Sequence, residues 1–117
     1  MLLALDVGNT NITIGAFRAP RSNFIAAAEQ SFLDELAEAM GKDPIDFRLE
    51  LLKRAKENPV GKNNEYDADR YAGVLKLVKE KSGWNNAENK KYSRGVAAYF
   101  CHNSYAAHVV DMVKKNG

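Results

Sequence analysis

The sequence predicts an α+β fold in which helices pack on one face of an antiparallel sheet. Three observations lead there. Apolar and polar residues alternate in the opening stretch, Leu2 to Phe17, as in a half-buried hairpin. Three successive stretches between Phe24 and Ser82 then carry the period of amphipathic helices. Two further runs rich in Val, Tyr, Phe and Ala, Gly95 to Cys101 and Tyr105 to Val113, flank the turn-like His102-Asn103-Ser104. The predicted order is hairpin, three helices, hairpin, within one small domain divided at 1–17, 18–92 and 93–117.

Each element has a local cause. In the first hairpin Ile12, Ile14 and Ala16 alternate with Asn11, Thr13 and Gly15, and Pro20 ends the strand because it has no N–H to donate. From Phe24 to Met40 the residues Phe24, Ala28, Phe32, Leu36 and Met40, with Ile25, Leu33 and Ala39, form one broad apolar face, expected to point inward. Glu29, Gln30, Asp34 and Glu38 lie off that face and are expected in solvent. Gly41 is a natural stop, since glycine reaches the left-handed conformation without steric cost. Asp43-Pro44 restarts a helix, with Asp43 as cap and Pro44 at the first helical position. Its inward residues are predicted to be Ile45, Leu49 and Leu52 with Phe47 and Leu51. After the polar loop Glu57 to Asp67, Asp67 caps a third helix to about Ser82, whose stripe is Tyr71, Val74, Leu75 and Val78. Gly83 stops it and Trp84 is placed to pack back.

A chain of 117 residues can form one domain with a real core, burying roughly two-thirds of the surface its unfolded form exposes. The net charge of only +2, with lysines and arginines interleaved among carboxylates, argues against a nucleic-acid partner. No apolar run approaches the ~20 residues of a membrane span, and nothing resembles a signal peptide. A cytoplasmic, reducing compartment is expected. Cys101 is the only cysteine, so an internal disulfide is excluded.

The stretch "LLALDVGNTNITIGAF" resembles the start of a type III pantothenate kinase, in the actin-like ATPase superfamily. That resemblance implies a nucleotide-binding turn. Gly8 would let the backbone approach the phosphates, Asn9 and Thr10 would offer donors, and Asp6 would stand near magnesium. It covers residues 1 to about 14, and no second phosphate motif or adenosine motif follows. The alternative is a hairpin whose turn happens to have this composition.

From about residue 15 to 117 the chain resembles a different family. "GAFRAPRSNFIAAAEQSFLDELAEAMGKDPIDFRLELL", "RYAGVLKLVKEKSGW" and "RGVAAYFCHNSYAAHVVDMV" are similar, in order, to segments of the molybdopterin-binding large subunit of molybdenum hydroxylases. These form the xanthine dehydrogenase–aldehyde oxidase family, and the isoquinoline 1-oxidoreductase β-subunit type is the nearest branch. The resemblance implies an oxidoreductase that hydroxylates N-heterocycles or aldehydes with oxygen from water. Its cofactor is the molybdenum cofactor (molybdopterin), and an iron–sulfur subunit takes the electrons. It assigns Phe17, Arg18, Ala19 and Pro20 to a cofactor-lining loop, where a planar arginine suits an oxyanion. The family's general-base glutamate and its other pterin-embracing loops have no counterpart here. What is implied is therefore a fragment, contributing one loop and its packing helices, and catalytically incomplete alone. Its partners would be the rest of the large subunit and the iron–sulfur subunit, and no cofactor would be expected bound to this chain alone. Two resemblances in one chain also admit a chimeric or designed scaffold without a ligand.

Other constellations carry no chemistry. Cys101 and His102 are adjacent on a predicted strand and point to opposite faces, so with His108 they make no metal site. Ser104 lacks a nucleophile elbow, and Gly61-Lys62 lacks the spacing of a phosphate loop. An open strand edge after Val113 predicts self-association.

Overall fold

The computed structural model describes residues 25–59, 66–86, 92–101 and 103–115, together with the backbone of two short strands, 5–8 and 11–14. The chain is α+β. Strands β1 (Leu5–Gly8) and β2 (Asn11–Ile14) pair antiparallel with each other, Leu5 opposite Ile14 and Gly8 opposite Asn11. Helices α1 (Ala26–Ala39), α2 (Pro44–Glu57) and α3 (Ala68–Lys81) follow. Strands β3 (Ser93–Cys101) and β4 (Ser104–Met112) then form the second hairpin, which among the described residues shares no ladder with the first.

The helix boundaries are made by the residues that the sequence singles out. At the end of α1, Gly41 takes φ +61°; its N–H donates to Glu38 O at 2.9 Å and Lys42 N–H to Ala37 O at 2.8 Å. This double closure satisfies carbonyls that the last helical turn leaves without partners. The end of α3 repeats it, with Gly83 at φ +57°, Gly83 N–H to Glu80 O and Trp84 N–H to Lys79 O. Asp43 and Asp67 cap α2 and α3, each accepting through Oδ1 from the N–H groups two and three residues on.

Helices α2 and α3 lie antiparallel, tied at one end by Lys79 to Asp46 and at the other by Lys56 to Asp69 at 2.7 Å. Their facing sides meet β3 and β4 in a core of Ile45, Leu52, Leu75, Val96 and Ala98. Tyr71, Trp84, Ala107 and Val109 pack around it, half-buried. On the hairpin the inward positions alternate as a pleat demands: Val96 opposite Val109, Ala98 opposite Ala107, Phe100 opposite Tyr105. Cys101 pairs with Ser104 at the hairpin end, and Asn103 between them takes φ +57°, the conformation tight hairpin turns require. Tyr105 then fixes α3 to the hairpin, its hydroxyl accepting from Asp67 N–H at 2.7 Å and its ring lying 5.1 Å from the Arg70 guanidinium.

Two expectations are corrected. Leu51 points out from α2, exposed, while Arg48 takes a buried place. Helix α1 presents the opposite side to that expected: Gln30 and Ala37 are buried, whereas Ile25, Ala28, Phe32, Ala39 and Met40 are exposed. Leu33 and Leu36 are half-buried. The physical cause is the polar node described in the next subsection, which only the polar face of α1 can complete.

Asp43 joins two closures. Its Oδ1 caps α2, and its Oδ2 accepts from the Trp84 indole at 2.6 Å, tying the start of α2 to the residue beyond α3. Asp43→Ala loses both and should lower the unfolding free energy by about 2–3 kcal/mol. Asp43→Asn, which still caps, should lose less than half of that. Urea unfolding followed by circular dichroism measures the difference.

Candidate functional site

The best-built polar feature is a node at the junction of α1, α2 and β3. Arg48 of α2 is only 4 % exposed. Its Nε donates to Gln30 Oε1 at 3.0 Å, its Nη2 to Gln30 O at 3.0 Å and its Nη1 to Pro44 O at 2.9 Å. Asp34 Oδ1, itself buried, lies 2.7 Å from Nη1 as the counter-charge, outside hydrogen-bonding angles. Gln30, 7 % exposed, also accepts from Ala98 N–H through the same Oε1 at 3.0 Å. Ala98 O accepts from the Tyr71 hydroxyl at 2.7 Å. Both backbone groups of Ala98 thus turn away from β4 and are met by side chains of α1 and α3, which shield this part of the β3 edge.

The node is held from within. Of the five donors a guanidinium offers, three are placed in hydrogen bonds to Gln30 Oε1, Gln30 O and Pro44 O, and the Asp34 carboxylate supplies the counter-charge. These bonds fix α1 against α2 and β3, a positional role. Burial pushes the Tyr71 hydroxyl well above its ordinary range, with the Glu29 carboxylate adding to the shift. Burial raises Tyr99 as well.

A second clamp is made by Arg94 on β3. Its Nη1 and Nη2 donate to Gly83 O at 3.1 Å and Ser82 O at 2.8 Å, while its Nε donates to Asp111 Oδ1 at 2.5 Å. Its guanidinium lies 5.3 Å from the Trp84 ring centroid. The C-terminal end of α3 thus receives a cation where the helix dipole favours one.

The main open concavity is a groove of about 630 Å³ between α2 and α3. Its floor is Leu49, Leu52, Ala68 and Ala72, and its walls carry Lys53, Lys56 and Lys76 with Glu57 and Asp69. The hydrogen bond that Lys56 donates to Asp69 raises the Lys56 pKa. Near the start of α2, Lys42 donates to Glu50 and lowers that carboxyl's pKa, the largest of several effects on it.

The residues singled out by resemblance stand elsewhere. Asp6 and Gly8 lie in strand β1; Asn9 and Thr10 are outside the described residues. Phe17, Arg18, Ala19 and Pro20 of the cofactor loop also lie outside them. His108 is exposed on β4 opposite Ala97, and Cys101 stands opposite Ser104 at the hairpin end. Among the described residues no three His, Cys, Asp or Glu side chains converge as a metal site. Nor does any helix among them have the length and apolarity to cross a membrane. No chemical step is assigned to the described residues.

Sequence periodicity missed Arg48 and Gln30. A signal was present: Arg48 stands three residues after Ile45 and four before Leu52, inside the inward stripe of α2. Gln30 likewise shares a face with Leu33 and Ala37. No protein-family model, no curated protein and no solved structure matches the chain.

Gln30→Leu leaves the Arg48 Nε and the Ala98 N–H buried without an acceptor and should destabilise by about 2–4 kcal/mol. Arg48→Lys keeps the charge but loses the fork and should cost about 1–3 kcal/mol. Equilibrium urea unfolding of both variants gives these values directly.

The raised Tyr71 pKa means the folded state holds that proton more tightly than the unfolded chain does. Its stabilising contribution is complete below the ordinary tyrosine value of about 10 and is lost as pH rises from there toward the folded value. Unfolding free energy should fall above about pH 10 by up to roughly 1.4 kcal/mol per pH unit. Tyr71→Phe should flatten most of that slope while costing about 1 kcal/mol at neutral pH through the lost bond to Ala98 O. Denaturation midpoints between pH 7 and 11 provide the test, with roughly that span set by the ordinary tyrosine value.

Proposed function

We propose that the chain is part of the large subunit of a molybdopterin-dependent hydroxylase. It supplies a cofactor-lining loop, Phe17 to Pro20, and the helices that pack behind it. It turns over no substrate alone. One observation carries the reading: among the described residues β3 and β4 pair only with each other, and the end of β4 with the residue just beyond it exposes Val110, Met112 and Val113. Apolar surface left open at the end of a sheet gains from further strands or a covering layer. A larger subunit would provide them. The ordered resemblance of residues 15 to 117 to segments of that family supports the same reading.

In the intact family the molybdenum cofactor would supply the hydroxylation chemistry, with water as the oxygen source and an iron–sulfur subunit as electron acceptor. In that setting Arg18 orients an anionic group of cofactor or substrate by its planar charge. Asp6 to Thr10 would play no part in that chemistry.

Grafting residues 15–117 into the corresponding stretch of an isoquinoline-oxidoreductase-type large subunit tests the proposal. The grafted holoenzyme should hydroxylate an N-heterocycle with an artificial electron acceptor. Arg18→Ala in the graft should lower kcat/KM by roughly tenfold to a hundredfold. A folded graft that contains no molybdenum cofactor, or whose activity is indifferent to Arg18, overturns the reading.

A further inference from the structure

The turned-out face of α1 and the open groove between α2 and α3 are complementary in shape and charge. Ile25, Ala28, Phe32 and Ala39 form an apolar ridge along the outer side of α1, with Phe32 59 % exposed. Glu29 and Glu35 flank that ridge roughly 60° to either side. Between Ala26 and Ala39 the helix has four carboxylates and no lysine or arginine. The groove reverses this pattern. Its floor of Leu49, Leu52, Ala68 and Ala72 is apolar and shallow-sided where the alanines stand, so a helix can approach closely. Lys53 and Lys56 line one wall and Lys76 the other. Against Glu57 and Asp69 these three lysines leave the groove net positive, and among the described residues Lys76 has no ion-pair partner.

No residue of α1 lines the groove, so a chain's own ridge does not fill it. Its own α1 is held on the far side of α2 by the Arg48–Gln30 bonds. We propose that a second copy of this chain does so: α1 of one copy docks its Phe32 ridge into the α2–α3 groove of another. Glu29 and Glu35 then face the lysines of the two walls. Two α1 ridges packed on each other would bring like charges together, so the contact runs from ridge to groove. If both copies dock at once the assembly closes as a two-fold pair; otherwise it continues as a head-to-tail chain. The proposal is independent of the hydroxylase reading, because it uses neither the Phe17–Pro20 loop nor the β4 edge.

Sedimentation velocity of the full chain over a concentration series tests it, with circular dichroism to confirm that each variant is folded. The wild type should self-associate reversibly, as pairs or longer chains. Phe32→Asp should weaken association by about tenfold or more, since a buried aromatic anchor is lost. Lys53→Glu with Lys76→Glu should do the same by like-charge repulsion. Adding Glu29→Lys and Glu35→Lys to that charge-reversed groove should restore association toward the wild-type level. The proposal is overturned by a wild type that stays monomeric at roughly millimolar concentration, where even weak contacts register. It is overturned equally by association that survives Phe32→Asp, which would place the contact on the β4 edge or on another partner surface. Failure of the four-fold charge swap to restore association in a folded chain counts against it too.

Discussion

A buried guanidinium must be surrounded by acceptors, and in this protein that requirement arranges three of the seven elements. Moving an unpaired cation into a protein interior costs several kcal/mol, and removing one partner of a buried pair leaves most of that cost standing. Arg48 is held by the Gln30 side chain and carbonyl, the Pro44 carbonyl and the Asp34 carboxylate. Three of these four acceptors belong to α1 or to its polar face. Gln30 Oε1 accepts from Ala98 N–H as well, so the same atom that satisfies α2 also satisfies β3. The angle at which α1 lies on α2 is thus set by polar geometry, and its apolar side chains go where that geometry leaves them.

The same economy of groups recurs at the helix ends. Asp43 spends one carboxylate oxygen on the cap of α2 and the other on the Trp84 indole. Trp84 N–H closes α3, and its ring carries the Arg94 guanidinium. Arg94 in turn meets the last carbonyls after α3 and the Asp111 carboxylate on β4. A chain of shared polar partners therefore runs from the start of α2 through the end of α3 to the hairpin. These links fix directions that a small core of Ile45, Leu52, Leu75, Val96 and Ala98 leaves loosely specified, because apolar contact has no preferred angle.

This explains which parts of the fold were legible in the sequence. The caps Asp43 and Asp67, the stops Gly41 and Gly83, and the turn before Ser104 are local devices, and they stand where composition puts them. The α+β class followed from the change of period and is the class observed. The inward face of α1 was not legible from its own residues. A hydrophobic stripe indicates which side of a helix could be buried, whereas the partner decides which side must be. Arg48 reads as one more surface cation in "DFRLELL" unless its place between Ile45 and Leu52 is weighed against its neighbours. The motif-bearing residues Asp6 to Thr10 and Phe17 to Pro20 precede the helical layer, so their identification rests on sequence likeness alone.

The two apolar surfaces left open differ in what they can select. Strand β4 exposes Val110 and Met112, and Val113 follows exposed just beyond it, yet Asp111 on the strand and Lys114 and Lys115 after it place charges beside them. Charges at a sheet edge discourage a foreign strand from pairing indiscriminately, while a strand brought by a continuous fold can still be accommodated. The α1 ridge carries a single sign of charge along both flanks, and one-sign flanks admit an occupant of the opposite sign while rejecting a copy of themselves. The α2–α3 groove supplies that opposite sign within the same polypeptide. Turning α1 over to satisfy Arg48 therefore has a consequence at the surface: it presents an acidic-flanked ridge to solvent in a molecule that already has a lysine-walled groove. The polar node that fixes the interior thereby also determines which outer face is available for association.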